Sequence, residues 1–231
     1  MSRDHGSLRL SIIIPALNEE SSIADLLADL APLRTQGHEL ILVDGGSVDR
    51  TLEIATPAVD RTIQSAPGRA LQMNAGAREA VGEILWFLHA DTRVPEQAAN
   101  ELIIACGNGR LWGRLDVRLS GSLWLLRIIE RMMNLRSRIT GVASGDQGIF
   151  VTRETFRAVS GFPPIPLMED IALSKVLRRH VRPACIRRPR LQTSSRRWEQ
   201  HGIIRTMALM WHLRLAFACG AAPQDLAKRY P

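Results

Sequence analysis

Lysine is almost missing: of 30 basic residues only two are Lys, and the rest are Arg. Two readings fit that bias, phosphate recognition by planar guanidinium groups and a compositional bias of the genome. Cysteine is scarce too. Cys106, Cys185 and Cys219 are an odd set, far apart and with no C-x-x-C pair, which excludes a disulfide framework and a zinc site and fits reduced thiols in a cytosolic setting. No stretch reaches the ~18 uninterrupted apolar residues of a membrane-spanning helix. The apolar stretch after the amino terminus is short for a signal peptide, and Pro15 interrupts it. The expected setting is cytoplasmic, soluble or peripheral to the inner face of the membrane.

Other absences remove whole function classes. Five Trp, five Phe and one Tyr form no stacking series, and no nucleic-acid-binding module is visible, so nucleic acid is not an expected partner. The first apolar run leads into "PALNEE" instead of G-x-G-x-x-G, which discounts a dinucleotide-dependent oxidoreductase. No glycine-rich loop with Arg or Lys follows that run, which weighs against a nucleotidyltransferase.

What is present is enough for a folded core: 231 residues, 45% hydrophobic, read as one domain over 1–231. Charge divides it. Residues 1–109 hold eight basic and 15 acidic residues, whereas residues 110–231 hold 22 basic against eight acidic, so anions are favoured by the second half.

Short apolar runs at 8–14, 38–44, 59–65 and 83–89 read as strands, and the segments 21–33, 48–56 and 70–81 between them have helical periodicity. Pro95 opens a further helix. Strand–helix alternation implies an α/β fold with a mostly parallel central sheet and helices on both faces. Further on, 110–120 reads as a half-exposed strand, 122–139 as an amphipathic helix, 148–152 as a strand and 153–159 as a short helix. A helix begins near Glu169, and a basic helix over roughly 198–217 ends the pattern.

Polar residues cluster where strands end, which is where ligands gather in such sheets. "PALNEE" carries Glu19 and Glu20 ahead of a helix, and an ordinary turn explains it equally well. In "VDGGSVDRT" capping accounts for Ser47 and Asp49 but not for Asp44, whose carboxylate suits a nucleobase imide or ribose hydroxyl. Arg69 sits in a glycine-bearing loop before a helix, placed for a phosphate or simply solvated. Asp91 of "HADT" suits a divalent cation bound to a diphosphate, which needs only one or two protein carboxylates. His89 shares that edge, either as a ligand or as a structural hydrogen-bonding residue. Glu169 and Asp170 open a helix whose dipole favours ionised acids, and an ionised acid facing a cleft can take a proton from a hydroxyl nucleophile. Arg196, Arg197 and Trp198 offer two cations for a departing diphosphate and an indole face for a sugar or base, or form a solvated basic turn.

Together and in order, "IIIPALNEE", "LVDGGSVDRT", "GRALQMNAGA", "WFLHADT", "SGDQGIF", "MEDIALSKVLRR" and "SSRRW" resemble the inverting family 2 glycosyltransferases of GT-A fold, across nearly the whole chain. The forms "GRALQMNAGA", "FLHADT" and "RRWEQHG" are most similar to a small bacterial subgroup of radical-SAM or selenodomain-associated transferases. The resemblance implies a nucleotide-binding half (1–109) and an acceptor-binding half (110–231). It places Pro15, Ala16 and Glu19 around the nucleoside, gives Asp44 to the base, sets Arg69 near the donor and makes Asp91 the last carboxylate of the D-x-D metal motif. Asp170, with Glu169, matches the acidic pair that supplies the general base, Arg197 lies by the diphosphate, and Trp198, Asp146 and Gln147 face the acceptor.

The implied partners are a UDP-, GDP- or dTDP-sugar donor and a hydroxyl acceptor, of which a lipid is one form; the implied ion is Mg2+ or Mn2+. His89 stands where the first Asp of D-x-D would be, lowering the charge of the metal site. Ser194 stands at the Gln position of Q-x-x-R-W, which points to a single transfer in place of processive synthesis. Two amphipathic segments, 122–139 and 202–220, fit either packing onto the sheet or lying at an anionic membrane surface.

Overall fold

The computed structural model describes residues 8–230, the side chains of Arg197 and His201 excepted. Four strands come first: β1 (Leu10–Ala16), β2 (Glu39–Asp44), β3 (Arg61–Gln64) and β4 (Ile84–Phe87). They run parallel in the spatial order β3-β2-β1-β4. Helices α1 (Ile23–Thr35), α2 (Thr51–Ala55) and α3 (Arg69–Glu79) make the crossovers. In α1 the apolar Ile23, Leu26, Leu27, Leu30 and Leu33 recur at three and four, and all are buried. Gly37, at φ 89, turns the chain out of that helix.

β1, β2 and β4 are apolar at nearly every position because both their faces are covered. Alternate residues enter different cores. Ile12, Ile14, Leu40, Leu42, Ile84 and Trp86 join a cluster with α1, whereas Ile13, Ile41, Val43, Leu85 and Phe87 pack with α3 on the other side.

The remainder extends the sheet to seven strands, in the order β3-β2-β1-β4-β6-β5-β7. Helix α4 (Ala98–Gly107), three residues beyond Pro95, leads to β5 (Trp112–Leu119), and α5 (Trp124–Thr140) leads to β6 (Phe150–Thr152). β6 is antiparallel to both neighbours, so the sheet is mixed but mostly parallel. Helices α6 (Arg153–Ala158) and α7 (Glu169–His180) precede β7 (Ala184–Thr193), which pairs parallel to β5.

β5 corrects the reading of a half-exposed strand. Arg114 and Asp116 are fully buried and bonded to each other, and Asp116 also accepts from Arg138 of α5. Their charges are matched internally, so the polar face needs no water. β6 meets β5 only at Trp112 and Gly113. Beyond that, α5 supplies the missing partners: Asn134 accepts the Val117 N–H and donates to its carbonyl, both at 2.9 Å, and Glu130 accepts the Leu119 N–H at 3.1 Å.

The expected long terminal helix is two, α8 (Arg196–His201) and α9 (Ile203–Ala218), divided by Gly202 at φ 82, followed by α10 (Pro223–Ala227). α9 and α10 pack Leu213 and Leu226 against Val142, Leu167, Met168 and Ile171, folding the tail over the start of α7. No helix among the described residues is long and apolar enough to cross a membrane.

Candidate active site

The carboxyl ends of β1 and β2 are joined by reciprocal hydrogen bonds between their loops. Asn18, at φ 55, donates its N–H to the Ser47 hydroxyl and accepts the Val48 N–H on its side chain, each at 2.9 Å. The Glu19 N–H donates to Thr51 at 2.8 Å, and the Glu20 N–H to Asp49 at 3.1 Å. This leaves the Glu19 side chain facing a cavity of about 230 Å3 lined also by Arg69, His89, Asp91, Asp146, Asp170, Arg196, Trp198 and Arg214. A pocket for a whole drug-sized ligand is ~300–1,000 Å3. The enclosed part is therefore smaller than a whole drug-sized ligand.

The segment "GRALQMNAGA" shows how β1, β2 and α3 are held beside that space. Arg69 opens α3 and lines the cavity. Desolvation alone would lower its pKa, but the electrostatic influence of Tyr230 and then of the acids Glu169, Asp146 and Asp170 raises it. Gln72 donates to the carbonyls of Ala16 and Val43, both at 2.8 Å, closing the ends of β1 and β2. Asn74 exchanges two hydrogen bonds with the backbone of Phe162. Gly76 lets α3 approach the sheet: a Cβ there would lie 2.6 Å from Ile13 Cγ2 and 2.9 Å from Val43 Cγ2.

Beyond β4, the chain turns at His89–Thr92, where the Thr92 N–H donates to the His89 carbonyl at 3.1 Å and Asp91 faces the cavity. His89 Nδ1 lies 3.3 Å from Asp146 Oδ1. Burial would raise the Asp146 pKa, but the His89 hydrogen bond, the charge on His89 and then Arg69 and Arg214 outweigh it, holding Asp146 down at about 2. The other His89 nitrogen packs over Gly145, where a Cβ would sit 2.6 Å away. Gly145 in turn donates its N–H to Asp170 Oδ2 at 2.7 Å, and the Ile171 N–H donates to Oδ1 at 2.6 Å. Both oxygens of Asp170 are thus oriented by backbone, at the cavity wall.

Glu169 departs from the expectation of two ionised acids at the start of α7. It is only 7% exposed. Burial is the larger cause and the neighbouring Asp170 charge adds to it, so Glu169 is pushed up to about 7 despite the helix dipole. Met168 immediately before it takes φ 68, a left-handed conformation unusual for a side chain of its size.

Several expected contacts are placed elsewhere. Asp44 is 1% exposed, and its carboxylate accepts the N–H groups of Gly46 (2.9 Å) and Ser47 (3.1 Å), so capping of its own turn does account for it. Pro15 and Ala16 are buried within β1, and the Ala16 carbonyl is taken by Gly45 and Gln72. Gln147 is fully buried and closes a capping box with Ser144, which removes it from any acceptor surface. The Arg197 side chain lies outside the described residues. Its neighbour Arg196 lines the cavity and reaches Glu19 Oε2 at 3.9 Å.

For a divalent cation the donor set is narrow. No group of three His, Cys, Asp or Glu among the described residues is arranged to hold an ion by itself. His89 Nδ1 faces Asp146 and its ring packs on Gly145, while His89 lines the same cavity as Asp91. Asp91 alone still fits Mg2+ or Mn2+, because a hard cation bridging a diphosphate takes most of its oxygens from phosphate and water.

Comparison with known proteins agrees with this arrangement. The Glycosyl transferase family 2 model matches residues 11–146. The chain belongs to glycosyl transferase family 2. A relative, the undecaprenyl-phosphate 4-deoxy-4-formamido-L-arabinose transferase of Yersinia enterocolitica, is 29% identical over 161 residues, covering 64% of this chain and 49% of the relative. The chain therefore spans about half the length of that curated relative. Among solved structures, S. aureus TarS 1-349 has TM-score 0.67 at 18% identity, covering 81% of this chain and 61% of its own. The mannosyltransferase PcManGT from Pyrobaculum calidifontis, in complex with GDP-Man and Mn2+, has TM-score 0.65 at 20% identity over 96% of this chain and 68% of its own. Glucosyl-3-phosphoglycerate synthase from Mycobacterium tuberculosis has TM-score 0.59 at 19% identity, covering 84% of this chain and 72% of its own. These neighbours identify the fold of this family member as GT-A.

Ser144, Gly145, Thr206, Met210 and Arg214 line the cavity without having been given a site role from the sequence. Gly145 and Ser144 look like an ordinary loop until Asp170 folds against them. Thr206 and Arg214 do share one face of α9, with Met210 between them, and all three line the cavity. That spacing of four was visible in the sequence, but nothing in it said which side of the basic helix faced inward.

Proposed function

We propose that this chain moves a glycosyl group from a nucleoside-diphosphate sugar to an acceptor hydroxyl in a single displacement that inverts the anomeric carbon. The observation that carries the reading is the convergence of Glu19, Arg69, Asp91 and Asp170 on one cavity, from four distant parts of the chain. Asp170, oriented by two backbone N–H groups, takes the proton as the acceptor oxygen bonds to the anomeric carbon. The bond to the diphosphate breaks on the opposite face, and its electron pair leaves with the nucleoside diphosphate. Asp91 would hold a divalent ion, which when bound would supply Lewis-acid stabilisation of the leaving group. Arg69 and Arg196 add fixed positive charge to the same space. Glu19 and the rim of β1 and β2 flank the nucleoside, and Trp198 offers its indole to the acceptor. The names of relatives support this choice of substrates: TarS has been solved with UDP-GlcNAc and PcManGT with GDP-Man. Within the family, the three sequence forms at 68–77, 87–92 and 196–202 support membership of the radical-SAM-associated subgroup, and the whole chain acts as one transferase unit on the cytoplasmic side. Incubation with UDP-, GDP- and dTDP-sugars and Mn2+ tests the reaction. Release of nucleoside diphosphate with an inverted product is expected, and retention of configuration overturns the mechanism.

A specific observation favours an acceptor presented at a membrane. On α5, Trp124, Ile128, Met132, Leu135 and Ile139 recur at three and four, and all are exposed, Trp124 by 68% and Ile139 by 72%. Packing onto the fold explains only the opposite face of α5, where Leu126, Ile129 and Met133 are buried. α9 likewise exposes Ile204, Trp211 and Leu215. Apolar stripes on a half of the chain with a large basic excess suit an anionic bilayer. Flotation with phosphatidylglycerol vesicles should carry the parent protein and lose it when Trp124 and Ile139 become Glu; equal flotation of both sinks this reading.

A further inference from the structure

Resting on the transferase reading above, we propose that the acceptor carries a phosphate group, and that Arg136, Thr206 and Arg214 form its seat beside Asp170. The carrying observation is a set of buried donors that have nothing to donate to. Among the described residues, Nε and Nη2 of Arg136, Nε of Arg214 and the Thr206 hydroxyl are all closed to solvent without a hydrogen-bond partner. Buried donors are nearly always paired, and each orphan costs the folded protein its lost hydration. Of the nine such atoms among the described residues, those of Thr206 and Arg214 belong to residues lining the cavity, and a tetrahedral, oxygen-rich anion there would give them a partner.

The placement favours the acceptor side. Thr206 and Arg214, two turns apart on α9, line the cavity that also holds Asp170. Arg136 donates Nη1 to the Val142 carbonyl at 3.2 Å, and Val142 packs in one cluster with Leu213 of α9 and Ile171 of α7. The two guanidinium groups therefore approach the same corner from α5 and α9, next to the acid assigned as base. The donor's diphosphate is already provided for by Asp91 with its ion and by Arg69 and Arg196. Arg136 also bears the cost expected of a binding residue waiting for its ligand. Burial, and then repulsion from Arg214, lowers its pKa to about 10, with Asp170 opposing. An anion would relieve both effects.

Phosphate chemistry has two sources here, a water-soluble phosphate ester and a lipid phosphate, and both appear among the relatives' printed names. Calorimetric titration of the full chain, held in saturating nucleoside diphosphate and Mn2+, tests the seat with glycerol 3-phosphate in one arm. The other arm uses phosphatidylcholine vesicles with and without phosphatidylglycerol, whose headgroup carries both a phosphate and a hydroxyl. Binding in at least one arm is expected, weakened about tenfold or more in Arg214→Gln and in Thr206→Val, since charge-assisted bonds are the strong ones. The arm that binds identifies the source. Arg136→Gln should behave likewise while melting no lower than the parent, because it removes a crowded buried charge; a variant that melts lower and binds phosphate as the parent does marks Arg136 as structural. Nucleoside diphosphate binding that survives while neither arm binds, or binds equally in all variants, overturns the seat alone. Failure to bind any nucleoside diphosphate overturns the transferase reading instead.

Discussion

The Gly145 N–H donates to Asp170 Oδ2 at 2.7 Å, tying the short turn after α5 to the first turn of α7. His89 packs on that same glycine and holds Asp146 beside it. The acid assigned as base is thus positioned by a turn that the β4 loop in turn positions, and each part can be tested.

Asp170→Asn keeps the shape and one of the two backbone hydrogen bonds, because its NH2 cannot accept the other, and it cannot take a proton. Turnover should fall by about 10²–10⁴-fold, with nucleoside diphosphate affinity unchanged. Turnover close to the parent's removes Asp170 as base.

Gly145→Ala places a methyl 2.6 Å from His89 Nε2, so the turn or the imidazole must move. Misplacement of Asp170 by this route should lower kcat by on the order of 10²-fold, again with nucleotide binding intact. A parental kcat shows that the turn positions nothing.

Glu169 makes stability depend on pH. Its folded-state pKa, about 7, lies above the ordinary 4.5, so the folded protein holds that proton more tightly than the unfolded chain does. The resulting stabilisation is complete below about pH 4.5 and is lost as pH rises through 7. His38, whose pKa is lowered by burial and then by Arg9, acts in the opposite sense. The difference between the parent and Glu169→Gln isolates the Glu169 contribution. Relative to the variant, melting temperatures of the ligand-free parent should decline from pH 4.5 to 7, and parallel curves contradict the assignment.

Gly76 is tested through folding. Gly76→Val drives a branched side chain into Ile13 and Val43, and overpacking of this kind costs about 1–3 kcal/mol. Denaturant unfolding should show that loss, and a stability equal to the parent's means α3 does not approach the sheet as described.

The parallel half of the sheet was legible in the sequence because β1, β2 and β4 are apolar on both faces and joined by periodic helices. β7 was not. "ACIRRPRLQT" is an edge strand carrying three Arg and a Pro, which propensity assigns to a loop until β5 pairs with it. β5 misled for a related reason: alternation of apolar and charged residues means exposure only if the charges face water, and Arg114 and Asp116 face each other. At the site, Asp91, Arg69, Glu19 and Asp170 were found by type and position at element ends. Asp44 and Gln147 looked equally functional, yet their polar atoms are used by their own turns, a matter of local hydrogen bonding that residue type does not reveal. Gly145 lay inside "SGDQGIF", but its own role was hidden because it depends on a contact 25 residues away.

The central claim is that one cavity holds a nucleoside-diphosphate sugar through Asp91 and its ion. Thermal melting of the parent and of Asp91→Ala with UDP, GDP and dTDP, each with and without Mn2+, tests it most directly, because a ligand of the native state raises the melting temperature. At least one nucleotide should stabilise the parent, more strongly with Mn2+, and the Mn2+ increment should vanish in Asp91→Ala. No shift with any nucleotide, or an increment of the same size in the variant, contradicts the account.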